Sequence, residues 1–205
     1  MLPGPRFFIR YLYSIRVFLA ITILLFLASM IPGYLVAVYA HGTANQLLSG
    51  LENKAQTLTG QPPIQMMLGI FFNNALDGFL SMAFGLVIGL FPLFFILTNG
   101  MVIGIMLELM IVKYGVAYGT FIFLVGIMPH GIFELPAIFI STSIGLKLGY
   151  EVLRTIFLRK TDMVLELRNA LMIFIFWILP MLLVAALIET FVTGALLSLI
   201  VHTPV

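Results

Sequence analysis

His130 and Glu134 stand four residues apart within Met128-Pro129-His130-Gly131-Ile132-Phe133-Glu134-Leu135-Pro136. On a continuing helix that spacing puts an imidazole and a carboxyl group on one face. Those are two of the side chains that hold a metal ion or pass a proton within a membrane. Two ligands do not make a set, and no third is fixed by spacing. Metal binding is therefore open, with His130 and Glu134 as the best candidates, and a cap on a broken helix is the competing role for His130. Asp77, Glu108 and Glu189 are the other carboxyl groups in apolar surroundings, and Asn73, Asn74 and Asn99 the amides. Each can equally be a hydrogen-bonded structural group, Glu108 and Glu189 above all, because they fall near the interface. A serine, a histidine and a carboxylate also exist (Ser81, His130, Asp77), but no recognised nucleophile motif accompanies them.

The elements that position these groups follow from composition. Of 205 residues 62% are hydrophobic and 9% charged, where a soluble domain carries about 25% charged residues. Mean hydropathy is +1.18. No soluble core hides that much apolar surface, so the fold class is all-α, a polytopic transmembrane helix bundle. There are no cysteines, which removes disulfides and thiolate chemistry. No cofactor is implied. No basic stripe is long enough for nucleic acid, so the expected partners are the lipid bilayer and other membrane proteins or further copies of the chain.

The whole chain, 1–205, reads as one transmembrane domain. Residues 1–16 are basic and aromatic, as at a cytoplasmic interface. The apolar run from Val17 to about Ala40 is too long for a signal-peptide core and reads as a retained first span. Residues 41–63 form a polar external loop ended by Pro62-Pro63. Lys147, Arg154, Arg159, Lys160 and Arg168 mark a cytoplasmic basic loop over 147–169. Three crossings fit between those loops, about Met66–Leu90, Phe91–Val112 and Val116–Leu146, and a last span follows from Ala170. The total is about five spans, with the amino terminus cytoplasmic and the carboxyl terminus external.

Two of those crossings are expected to be broken or re-entrant. Thr98-Asn99-Gly100 is turn-like, and Pro129, Gly131 and Pro136 interrupt the next span, with Pro92 a further candidate break. Met101–Val112 and Val116–Met128 would each rise less than about 20 Å as helices, short of a roughly 30 Å apolar core. Depth counting puts Asp77 about 16 Å below the outer boundary and Glu134 about 20 Å above the inner one. The polar groups then cluster at or above the midplane, open to the external side. Gly69, Asn73, Asp77, Ser81, Gly85 and Gly89 recur every four residues, and Ser141, Gly145 and Gly149 repeat that spacing. Small residues so placed let another helix approach closely.

Asn73-Asn74, Gly85, Gly89, Pro92, Asn99-Gly100 and Gly104 together resemble the stage II sporulation protein M family. Pro129-His130-Gly131-x-x-Glu134-x-Pro136-Ala137 with Gly145 is the most specific block, and Ile188-Glu189-x-Phe191-x-Thr193 is similar to the family's last-helix signature. The likeness covers about residues 64–195. It implies a polytopic helical bundle and little about chemistry; the namesake works in engulfment during sporulation with cell-wall-degrading partners, a process for which this sequence has no specific mark. The expected function is a non-enzymatic scaffold or subunit of a membrane complex with a polar centre at broken helices. The alternative is a transporter or channel for a small cation, proton or polar solute, and an intramembrane metal-dependent hydrolase is the minor third.

Overall fold

The computed structural model describes residues 4–40, 42, 61–87, 89–158 and 162–201. The expected external loop 41–63 therefore falls almost wholly outside the described residues. Among the described residues there is no strand, and five helices are long and apolar enough to cross a membrane.

A short amphipathic helix α1 (Pro5–Ser14) precedes α2 (Arg16–Tyr39), with the fully buried Ile15 between them in a non-helical conformation. Phe8 stacks on Trp177 with ring centres 4.2 Å apart. Helix α3 (Pro63–Ala83) has proline at its start, where the missing N–H costs nothing. It tightens into a 3₁₀ turn (Phe84–Leu86), and the chain reverses at Gly89, whose φ of 70° suits only a residue without Cβ. Helices α4 (Leu90–Tyr114) and α5 (Val116–Leu158) are joined by Gly115 alone, at φ 83°. The last helix is composite: α6 (Met163–Ile173), a π turn (Phe174–Ile178), α7 (Leu179–Ile188), a second π turn (Glu189–Thr193) and α8 (Gly194–Val201). Its start is capped by Asp162, whose side chain accepts from the Leu165 N–H at 3.1 Å.

The breaks anticipated in the second and third of the middle crossings do not occur. Gly100 lies inside α4, and Pro129, Gly131 and Pro136 lie inside α5, both continuous helices. Pro92 sits in the first turn of α4, where proline fits a helix start. The physical reason is the solvent. In hydrocarbon a freed backbone group has no water to turn to, so the helix is kept through residues that would end it in water. Thr98 and Asn99 do not make a turn either; their side chains donate back to the Phe94 and Phe95 carbonyls at 2.8 Å each. The basic stretch 147–169 is likewise mostly helical, being the C-terminal end of α5 and the start of α6.

Glycine sets the helix contacts. A Cβ on Gly100 would meet the Phe26 carbonyl and Ser29, and one on Gly104 would meet the Met30 carbonyl, so α2 and α4 run parallel with backbones touching. Gly33 lies against Met101 in the same seam. Gly85 and Gly145 face one another across α3 and α5, Gly149 meets Gly89, and Gly78 faces Ser141. Ser81 and Thr142 share a hydrogen bond at 3.3 Å in that seam. Gly69 is half-buried on α3. Such contacts need residues without side-chain bulk, the usual means of bringing helices together where lipid supplies no hydrophobic drive.

Candidate functional site

The second π turn makes the site. A π turn holds one more residue than an α turn and re-aims the side chains around it. Here it turns Glu189 and Thr193 toward α5, where His130 and Glu134 lie one turn apart. One ligand atom from each of His130, Glu134 and Glu189 lies within 4.8 Å of the others, and all three residues are half-buried. His130 Nδ1 is 3.3 Å from the Thr193 hydroxyl, itself buried. Among the described residues neither Glu134 nor Glu189 has a hydrogen bond or an ion pair of its own.

These four are the polar side chains on the wall of a cavity of about 410 Å³. Its other walls are apolar, from the start of α3 (Met66), the C-terminal half of α4 (Met106, Met110) and the N-terminal part of α5 (Ile122, Phe123), with Leu197 of α8. Gly131 belongs to this wall. Tyr118 ties the start of α5 to the end of α8 by donating to the Ile200 carbonyl at 2.9 Å.

The remaining polar groups are elsewhere. Asn73 donates weakly to Asp77 and to Asn74, at 3.4 Å in both cases, on the face of α3. Asp77 is outside the three-residue group and the cavity wall. Asn99 is spent on its own helix. Glu108 is buried on α4, with one carboxyl oxygen lacking a hydrogen-bond partner. Ser81 is held by Thr142, and His130 lies twelve residues before Thr142 in α5, about 18 Å away along the axis. A serine–histidine–carboxylate set therefore does not assemble from Ser81, His130 and Asp77.

Thr193 is the cavity residue that spacing alone passes over, because it is uncharged and lies far along the chain from His130. The Ile188-Glu189-x-Phe191-x-Thr193 pattern held the signal: Glu189 and Thr193 are four apart and reach the same wall.

A second polar region lies at the other end of the bundle, where Lys147 pairs with Glu166 at 2.7 Å and sits 5.2 Å from the centre of the Tyr11 ring. Tyr11 is buried, and that burial, with the Glu166 charge adding to it, pushes its phenol above the ordinary tyrosine range.

No curated protein and no solved structure matches this chain. The sequence model described as Stage II sporulation protein M matches residues 22–194, a stretch that runs from α2 to the first residue of α8 and takes in the whole His130–Glu134–Glu189–Thr193 wall. This membrane protein belongs to the stage II sporulation protein M family.

Proposed function

We propose that the protein binds a small cation or polar solute in the cavity between α3, α4, α5 and the last helix and passes it across the membrane, without covalent chemistry. One observation carries this reading over the scaffold: Glu134 and Glu189 meet at a cavity wall with no hydrogen bond or ion pair among the described residues. A purely structural polar group in an apolar bundle is held by partners, since leaving it unpaired costs several kcal/mol, on the order of 2–7. A carboxyl pair turned toward open space is instead arranged for something that enters. The excess of Lys and Arg in residues 1–16 and 147–169 supports a cytoplasmic amino terminus. With that orientation the cavity faces the external side and the carboxyl terminus is external.

Proteoliposomes containing the purified protein, challenged with pH and ion gradients, test this. Cation or proton flux well above empty liposomes is expected, with Glu134→Gln reducing it at least tenfold. No flux across common monovalent and divalent cations overturns transport.

The scaffold reading keeps one supporting observation, the backbone-to-backbone glycine seams that lock α2 to α4 and α3 to α5. It predicts that His130→Ala and Glu134→Gln lower the melting temperature of the purified protein. Variants as stable as the parent that lose cellular function would count against it.

A further inference from the structure

We infer that His130, Glu134 and Glu189 bind one divalent first-row transition-metal ion, of the zinc or manganese kind. The inference deepens the reading of the cavity as a solute site and rests on it for the ion's access.

The donor set comes first. One imidazole and two carboxyl groups offer one nitrogen and two oxygens, with their ligand atoms within 4.8 Å of one another. Ligands about a shared ion at roughly 2.1 Å cannot be more than about 4.2 Å apart. The widest separation must therefore close by at least about 0.6 Å, a change within the reach of two glutamate side chains. Nitrogen and oxygen donors without sulfur suit zinc, manganese or ferrous iron rather than a soft ion.

Charge points the same way. Two ionised carboxyl groups this close repel one another strongly in apolar surroundings. A dication cancels both charges and leaves a neutral centre in the bundle. A single monovalent cation cancels only one. A quaternary ammonium ion would balance the carboxylates but has no N–H to offer the imidazole lone pair, whereas a metal ion uses all three groups.

The support around the ligands also fits. In the tautomer whose Nδ1 donates to the Thr193 hydroxyl the Nε2 lone pair is left for the ion, and a hydrogen bond of this sort is what orients a metal-binding imidazole. The ligands come from α5 and from the second π turn of the last helix, so binding would clamp the far part of the last helix onto α5. Three protein ligands leave a coordination position turned toward the cavity, the arrangement of an exchangeable rather than a closed structural site.

The experiment is metal titration of the full-length protein in detergent after chelator treatment, using Zn²⁺ and Mn²⁺ alone and counting bound metal by elemental analysis. One metal per chain is expected. Glu134→Gln and Glu189→Gln should each weaken binding at least tenfold, while Asp77→Asn, outside the group, should leave it within twofold. No binding by the parent, or unchanged binding in the double glutamine variant, overturns the assignment. Should the variants fail to fold, Cu²⁺-loaded parent protein decides by electron paramagnetic resonance: coupling to one imidazole nitrogen is expected, and none overturns it. Flux without metal binding removes the metal and leaves transport standing; stoichiometric metal binding without flux does the reverse.

Discussion

At the residue scale the chain shows how much a bilayer changes the meaning of a side chain. Thr98-Asn99-Gly100 would be a turn in water, yet in α4 the two polar side chains fold back onto their own helix and Gly100 admits the backbone of α2. Tyr11 is a residue-scale case outside the spans. Its phenol holds its proton more tightly in the folded state, because burial and the Glu166 charge both oppose the anion. Stability that depends on this is fully present below the unfolded tyrosine value, near pH 10, and is lost as pH rises beyond it. The melting temperature of the parent should therefore fall above about pH 10, and fall less steeply in Tyr11→Phe. Identical alkaline profiles for the two proteins would show that the phenol has no part in it.

At the scale of elements, stability lies in the glycine seams. Gly100→Leu places a side chain into the Ser29 hydroxyl and the Phe26 carbonyl, and the backbone at Phe26 has no way to give. The expected loss is about 3 kcal/mol, the upper end for overpacking, or failure of the protein to assemble. Gly126→Ala is the control: its new methyl would meet only Leu197 at 3.8 Å, an ordinary contact, and should shift stability by no more than about 0.5 kcal/mol. Reversible unfolding in mixed micelles would measure both, and an equal effect of the two changes would refute the seam's importance. The π turns are the elements no pattern in the sequence foretold. Apolar periodicity in a membrane helix is nearly featureless, so a one-residue insertion in its register leaves no trace in composition. Depth counting reads Glu189 as a near-surface group, and its place beside Glu134 follows only from how the last helix packs on α5.

For the whole molecule, hydropathy and length were enough for an all-α bundle with five crossing helices, since an apolar run of about twenty residues has few alternatives in a bilayer. The interruptions were misread for the same reason that the fold was legible. Proline and glycine rules come from water, where a broken helix can hydrogen-bond to solvent, and they lose force in lipid. The candidate site was half legible: His130 and Glu134 announce themselves by spacing on one helix, whereas Glu189 and Thr193 reach them only through tertiary packing. Orientation is open to direct measurement. The chain has no cysteine, so single cysteines report without background. A cysteine at Gly4 should be shielded from a membrane-impermeant maleimide in intact cells, and one at Gly115 should be labelled. The opposite pattern would invert the molecule and turn the cavity inward.

The single-residue link at Gly115 has a consequence for how the protein is made. With one residue between α4 and α5, the link has no slack for one helix to settle across the bilayer far from the other. The expected unit of insertion is then the α4–α5 helical hairpin rather than a single span. The α4 wall of the cavity and the α5 residues that would hold its ion therefore enter the membrane in one event, before the last helix is synthesised to close it.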